Sequence, residues 1–201
     1  MTFLESLQQR FPTAEMQIIR KEKDFDIIQF SLIFQEEKYT VVTTSGLSNY
    51  EMPVTENYKD RSRIEFCTVV DHLWDFNDAQ NQWIYEKLAW LGNYLLERKT
   101  WFSIGHTIPN GKPAQAISNS FSQQYFYFDD PTLLSEELKP IEADERLVHF
   151  LCLLPISEKE LNYKMSRSNF KFKKKLASEN VTEVLELYRP DCVTKKFGFW
   201  S

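Results

Sequence analysis

Residues 146–164 restrict the possible folds more than any other part of this 201-residue chain, because they join an apolar segment directly to a helix start: RLVHFLCLLPISEKELNYK. Residues 148–154 are almost wholly apolar. A strand that is apolar on both faces must be covered on both sides, so this segment predicts the central strand of a sheet. Pro155 has no N–H to donate, and we expect it to end the strand.

The helix start that follows has two independent signals. Ser157 lies three residues before Glu160, which is the spacing of a capping box in which two backbone N–H groups are satisfied reciprocally. Ile156 and Leu161 occupy the positions of a hydrophobic staple, which fixes the direction in which the chain enters the helix. The sequence therefore predicts a rigid junction between strand and helix.

The rest of the chain alternates between strand and helix patterns. Period-two and β-branched segments predict strands at 25–34, 39–44, 63–70 and 121–128, the first two joined as a hairpin across 35–38. Helices are predicted at 2–11, beyond a cap at Asn77 or Asp78, and at 182–188, with a short acidic helix inside the loop 129–145. This mixture predicts an α/β or α+β fold with a mixed central sheet flanked by helices.

The long helix after residue 78 shows the clearest apolar stripe. Its inner face is predicted to contain Ile84, Leu88, Leu91 and Leu95, widened by Trp83, Trp90 and Tyr94. Gly92 lies inside this helix at a cost of about 1 kcal/mol relative to alanine. We therefore expect close contact with another backbone at that position.

Length and composition limit the class of protein. A chain of 201 residues favours a single domain over 1–201, and 42% hydrophobic residues with 15% aromatic residues suffice for a large core. A formal charge of −5 disfavours nonspecific binding to nucleic acid by the whole surface.

No apolar segment is long enough to span a bilayer, and residues 1–11 lack the basic start of a signal peptide. We expect a cytoplasmic protein.

The three cysteines are widely spaced and form no C-x-x-C motif. Cys67 and Cys152 lie in predicted strands, where a free thiol packs as a small apolar group. Cys192 is the third and makes the number odd. The pattern indicates a reducing compartment and no disulfide framework.

Several blocks resemble the suppressor-of-fused (Sufu) domain family. They are TTSGLSNYEM (43–52), RIEFCTVV (63–70), LAWLGNYLLERKTWFSIGHTIPNG (88–111) and the LLPISEKEL junction, in this order over about residues 40–192. The resemblance implies a fold like the N-terminal domain of Sufu. The family contains an animal signalling regulator with a further C-terminal domain, and single-domain bacterial proteins often regarded as immunity proteins against toxins. Because the resemblance ends where the first domain would end, we expect the bacterial type.

The sequence contains no HExxH, Walker A, GxGxxG, GxSxG or paired CxxC motif. The strongest candidate for catalysis or metal binding is Asp71, His72 and Asp75, just after a predicted strand. The alternative is a solvated loop. Trp74, between these acids, is typical of an aromatic anchor with an acidic rim on a protein-binding surface.

His106 and His149 are interpreted differently, because the first lies in a predicted loop and the second in a predicted strand. His106 lies in the GHTIPNG loop and could contact a partner, or it could tie the loop to backbone carbonyls. His149 lies inside the central strand and is predicted to be a hydrogen-bonded core residue. The partner-binding residues predicted from the sequence are Asp71, His72, Trp74, Asp75, His106 and Asn110.

Six cations and no acid occur within residues 164–175, interleaved with Phe170 and Phe172. Such interleaving is found on single-strand nucleic-acid surfaces, but a short basic segment on an acidic protein is more often a solvated helix face. The acidic segments 71–78 and 136–145 form the opposite pole. They would steer a basic protein toward this chain.

Three hypotheses follow from the residues and the resemblance. The first is a non-enzymatic protein-binding domain, an immunity protein that binds a cognate toxin domain and needs no metal or cofactor. The second is a hydrolase or metal-dependent enzyme that uses Asp71, His72 and Asp75, with His106 as a further group. The third is a nucleic-acid-linked regulator that uses the basic segment 164–175.

Overall fold

The computed structural model describes residues 1–193 and shows one mixed β-sheet with helices on both faces. The helices are α1 (Phe3–Arg10), α2 (Trp83–Arg98), α3 (Glu158–Arg167) and α4 (Asn169–Ser178). The strands are β1 (Met16–Lys21), β2 (Asp26–Phe34), β3 (Glu37–Ser45), β4 (Ile64–Asp71), β5 (Thr107–Pro109), β6 (Tyr125–Asp129), β7 (Ile141–Ala143) and β8 (Arg146–Ile156).

Strand β8 is central, as the sequence predicts. The strand order is β1-β2-β3-β4-β8-β6-β5, and β7 also pairs with β8. The only parallel pair along the described chain is β4 with β8, aligned from Ile64 opposite His149 to Cys67 opposite Cys152. The strand continues beyond Pro155, with Ile156 opposite Tyr125 of β6, so the prediction that Pro155 ends it was wrong. By that point β4 no longer pairs with β8, and a proline disrupts less there.

Among the strands outside the central pair β4 and β8, the sequence predicted one hairpin and missed two strands. The hairpin of β2 and β3 is confirmed, and its turn residues Gln35 and Glu36 both have positive φ, as a tight hairpin turn requires. Strands β1 and β7 were not predicted. Strand β1 is an exposed edge strand without an apolar face, and the three-residue β7 replaces the acidic helix expected in 129–145. Strand β1 lacks the alternation that marks a half-buried strand, and β7 alternates over only three residues, which is too short a segment to predict a strand.

The sheet separates two apolar cores. Helix α2 covers one face, where it packs on alternate residues of the strands, such as Ile27, Val42 and Phe66. Helices α1 and α4 cover the other face, with Ile28 and Val41 among the strand residues there. Neighbouring strand residues therefore enter different cores, because successive side chains point to opposite faces. Both cores meet at β4 and β8, whose residues are buried on each side.

The predicted stripe of α2 is confirmed, since Ile84, Leu88, Leu91 and Leu95 are all fully buried. Trp90 is instead exposed, and it was wrongly assigned to the inner face. The close contact at Gly92 exists, but its partner is a side chain and not a backbone. An added Cβ would lie 2.4 Å from Cζ of Phe25.

The end of the described chain contains one confirmed and one wrong prediction. Ser157 and Glu160 form the expected capping box at the start of α3. Residues 182–188 are not helical: Val184 forms a parallel bridge with Val69, and the N–H of Leu185 donates to the Val69 carbonyl. Tertiary pairing has overridden a weak local helix preference. The aromatic residues Phe197, Phe199 and Trp200 lie outside the described residues.

Cys67 and Cys152 are fully buried neighbours on β4 and β8, with 3.1 Å between their sulfur atoms. This confirms their predicted place in the core. No helix among residues 1–193 has the length and apolarity required to cross a bilayer.

Candidate functional site

The segment 71–78 forms an exposed loop after β4, and its acids bind the loop's own backbone. Oδ1 of Asp71 accepts from the N–H of Leu73 at 2.9 Å, and Oδ1 of Asp75 accepts from the N–H of Asn77 at 2.8 Å. Asp78 does the same for Gln80 at 2.9 Å. These are local Asx turns, which hold a loop in one conformation. Each of these carboxylates accepts from the backbone N–H two residues further along the chain.

No group of three or more potential ligands along residues 1–193 could hold a metal ion. The proposal of an enzyme centre at Asp71, His72 and Asp75 also required His106 nearby. His106 precedes β5, which is three strands away from β4, or about 14 Å at the usual spacing of about 4.8 Å. Catalytic groups must lie within hydrogen-bond reach or one water of the reacting atoms. The structure does not bring these four residues together.

Trp74 is not an exposed anchor, because only 8% of it is accessible. Its ring packs against Trp83 and Phe121, with Phe76 also in contact. The neighbouring Leu73 is instead 75% exposed. Trp74 therefore anchors the loop in the core, and Leu73 is the apolar side chain displayed between Asp71 and Asp75. We call the half-buried Asp71 and the exposed His72, Leu73 and Asp75 the acidic loop surface.

Asn110 is also a structural residue, buried at 9% exposure. Its side-chain amide donates to the carbonyls of Gln115 and Ala116, at 3.0 Å in each case. These bonds close the turn after β5, which contains Gly111 at φ +92°. The turn indicated by Asn110-Gly111 is thus present, and the amide that was expected to meet a partner is used to fix it.

His106 is half-buried in a loop held against β6. The N–H of Gly105 donates to the Phe128 carbonyl, and the N–H of Phe128 donates to the His106 carbonyl. The imidazole lies edge-on to Trp101, with 4.5 Å between the ring centroids. Burial, followed by the positive charge of Lys164, holds the pKa of His106 below its usual value. His106 thus lies within electrostatic reach of Lys164 in the basic segment, a proximity that the sequence could not predict because the two residues are distant along the chain.

His149 is a core residue as predicted, with 8% exposure. Burial is the main reason that its pKa lies below the ordinary value, and a hydrogen bond to the Asp60 backbone opposes this effect. The second ring nitrogen, Nε2, is buried without a hydrogen-bond partner along the described chain. The prediction of a hydrogen-bonded histidine is therefore met at one nitrogen only.

The basic segment 164–175 spans the end of α3 and most of α4. Phe172 is fully buried, whereas Phe170 is 65% exposed. Lys173 donates to Oδ1 of Asp129 at 2.6 Å, and Lys175 donates to Glu179 at 2.8 Å. Part of this segment is therefore helix packing and ion pairing. Only one of its two phenylalanines is available for contact with another molecule.

An open groove of about 850 Å³ lies beside α4. Its apolar lining includes Leu133, Leu154, Phe170, Leu176 and Val181, and residues 129–133 and 180–183 form the opposite wall. This volume is within the range of ligand-binding clefts, although the groove is open along its length. We call it the α4 groove.

The carboxylates of Asp129 and Glu183, beneath the α4 groove, are buried, and both accept hydrogen bonds from neighbouring groups. Glu183 accepts from the backbone N–H groups of residues 132, 133 and 134 and from the hydroxyl of Thr132, at 2.6–3.0 Å. Burial raises the pKa of Asp129, and the hydrogen bond and charge of Lys173 oppose this effect. Tyr127 donates to Asn169 at 2.9 Å and thereby ties β6 to the start of α4. Sequence inspection missed this network because its bonded partners are 42–51 residues apart along the chain.

A family model described as "Suppressor of fused protein (SUFU)" matches residues 21–190 of this sequence. This chain belongs to the Sufu family. The match covers most of the chain, including the central strand, the acidic loop surface and the α4 groove. The resemblance seen in the sequence blocks is thereby confirmed.

Solved structures of Sufu proteins share the fold. The Drosophila suppressor of fused crystal structure matches with a TM-score of 0.60 and 14% identity, over 87% of this chain and 46% of that one. A structure described as the Sufu–Fu complex matches with a TM-score of 0.63 and 11% identity, over 94% and 90% of the two chains. This chain therefore spans about half of the Drosophila protein. No curated protein sequence matches it.

Proposed function

We propose that this Sufu-family chain is a non-enzymatic protein-binding domain, and specifically an immunity protein that neutralises a cognate toxin in the bacterial cytoplasm by direct binding. The family membership supports the protein-binding part, because one related Sufu structure is a complex with the protein Fu. The toxin as partner is our inference from the single-domain bacterial members of the family. His106 lies far from Asp71, His72 and Asp75, and the two carboxylates accept from the backbone of their own loop, which argues against the enzyme alternative.

The observation that carries this proposal is the acidic loop surface. Leu73 is 75% exposed and flanked by carboxylates on a loop anchored by Trp74, an arrangement of an apolar contact with a polar rim that is typical of protein interfaces. A rigid loop loses little conformational entropy on binding. Its negative charge would favour fast association with a basic toxin domain. Trp74 and Asn110 are buried and hold their loops in place, so they are not among the proposed contacts.

The decisive experiment co-expresses the chain with the toxin encoded by the neighbouring gene and measures both growth rescue and binding affinity. The test variant is Leu73→Ala with Asp75→Asn. It removes the apolar contact and one charge but leaves an oxygen that can accept from Asn77. We expect rescue to fail and the affinity to fall at least tenfold.

The matched control is Leu147→Ala with Glu97→Gln, which removes an exposed leucine and an exposed acid elsewhere on the protein. It should rescue like the wild type. If both double variants rescue fully, the acidic loop surface is not the contact. If the wild-type chain neither rescues nor binds the neighbouring gene product, the immunity function is wrong.

A further inference from the structure

The α4 groove has an apolar lining and a basic rim, and no residue among 1–193 fills it. Phe170 is 65% exposed at one end, and Leu133, Leu176 and Val181 contribute further apolar surface. From Phe170 to Ala177 the helix rises about 10 Å, or two turns, at about 1.5 Å per residue. The groove is therefore long enough to receive several consecutive side chains of another chain.

Some charged side chains around the groove are already paired within the protein, and others are available to contact a partner. Asp129 is paired with Lys173, Asp130 with Arg61, and Glu183 is buried against backbone N–H groups. By contrast, Lys174 lines the groove, is exposed and forms no ion pair with any described residue. Arg167 and Lys171 lie outside the lining, on the adjoining parts of α3 and α4, and are likewise exposed and unpaired among the described residues. The ammonium group of Lys174 lies 4.6 Å from the centre of the Phe170 ring. The available charge at the rim is positive although the protein as a whole carries −5.

We propose that the α4 groove is a docking site for a partner-protein segment that presents apolar side chains flanked by carboxylates. The apolar side chains would cover Phe170 and the groove lining. The carboxylates would pair with Lys174 at the rim and with Lys171, three residues earlier on α4, and such opposite charges fix orientation and speed association. This surface lies on the α4 face of the sheet, while α2 covers the face whose core holds Trp74, the anchor of the acidic loop. It is therefore a second binding surface of opposite charge.

A nucleic-acid strand is the competing occupant, because basic and aromatic residues alternate here. Single-strand binding surfaces stack successive bases on several aromatic rings. Phe172 is fully buried and contacts Tyr127, so only Phe170 could stack. Apolar side chains line the remainder of the groove, and these suit a peptide better than a phosphate backbone.

The experiment measures binding of a fluorescent 16-residue acidic peptide to the full chain by polarisation. The peptide carries leucines at helical spacing with glutamates between them. Two matched probes replace either the glutamates with lysines or the leucines with serines. We expect only the acidic, leucine-containing peptide to bind, and its affinity to fall as salt rises.

The variants Lys171→Glu with Lys174→Glu, and Phe170→Ala alone, should each weaken binding at least tenfold. The control Lys21→Glu with Lys23→Glu places the same charge change on an exposed edge of the sheet and should bind like the wild type. Circular dichroism checks that each variant is folded. All substituted side chains are exposed, so we expect no loss of structure.

Four outcomes would overturn the proposal: no peptide binding at millimolar concentration, equal binding of all three probes, unchanged affinity in the α4 variants, or tighter binding of single-stranded DNA with the same variant dependence. Self-association that the α4 variants abolish would also overturn it, because a second copy would then be the occupant. Toxin neutralisation is tested separately with the acidic-loop variants, so either proposal can fail without the other.

Discussion

Adjacent side chains in the acidic loop have opposite roles, since Trp74 is 8% exposed and Leu73 is 75% exposed. The sequence shows both as apolar residues between acids. Which of them turns inward depends on the positions of Trp83, at the start of the following helix, and Phe121, from a distant part of the chain. An aromatic residue in an acidic loop is therefore a weak sign of a binding surface until its packing is known.

This difference predicts the stability of two variants. Trp74→Ala should lower the free energy of unfolding by about 3–5 kcal/mol, because it leaves a cavity among large aromatic rings. Leu73→Ala should change it by less than about 0.5 kcal/mol, because that side chain is exposed. Urea unfolding followed by circular dichroism measures both. Similar losses for the two variants would contradict the assigned burial.

The ionisation of His106 also depends on a residue distant in sequence. Burial and then the charge of Lys164 hold its pKa below the ordinary value. Replacing Lys164 with Gln removes the nearby positive charge, so the pKa of His106 should rise toward its usual range. An NMR titration of the imidazole protons measures this shift, with Lys171→Gln as the control. A pKa that stays constant or falls would contradict the proximity of the two groups.

At the scale of elements, α2 depends on one close approach to β2. Gly92 lets the helix pack against Phe25, which leads into that strand and is itself buried. The glycine costs the helix about 1 kcal/mol, and the packing it permits offsets that cost. The sequence predicted the close contact but assigned it to a backbone, because a glycine does not show what it faces.

Gly92→Ala should therefore destabilise the protein by about 1–3 kcal/mol, although alanine is the better helix former. The added Cβ would lie 2.4 Å from the Phe25 ring, so the ring or the helix must move. Adding Phe25→Leu should restore part of the loss, which a double-mutant cycle of unfolding free energies detects. A stabilising effect of the single substitution would show that the contact is absent.

At the scale of the whole molecule, Glu160 joins α3, β8 and the last described segment. Its carboxylate accepts from both terminal nitrogens of Arg189, at 2.6 and 2.8 Å, and from the N–H of Cys192. Arg189 also donates to the Pro155 carbonyl of β8 at 2.9 Å. Burial alone would raise the pKa of Glu160, but the hydrogen bonds and charge of Arg189 hold it below its ordinary value.

This network predicts a pH-dependent stability. A carboxyl whose pKa is lowered on folding stabilises the protein above its unfolded pKa of about 4.3, and the contribution disappears as the pH falls through the folded pKa. Glu160→Gln should cost about 3 kcal/mol at pH 7, because it leaves Arg189 buried without a countercharge. The difference from the wild type should begin to shrink as the pH falls below about 4.3 and should disappear through the folded pKa, because the wild-type carboxyl then becomes protonated as well.

Urea unfolding of both proteins between pH 3 and pH 8 measures this effect, and Glu158→Gln is the control. Glu158 is exposed in the first turn of the same helix, so its variant should show little pH-dependent difference. A difference for Glu160→Gln that is independent of pH would indicate that the loss is due to shape and not to charge.

The sequence alone determined the features that depend on residues a few positions apart in the chain. The capping boxes at Thr2 and Ser157, the stripe of α2 and the apolar strand β8 follow from hydrogen bonds and periodicities within a few residues. Tertiary structure alone decided that Trp74 and Asn110 are buried, that Val184 and Leu185 pair with Val69 of β4, and that Glu160 meets Arg189. These outcomes depend on which distant segments become neighbours, and the free energy of burial is larger there than any local preference.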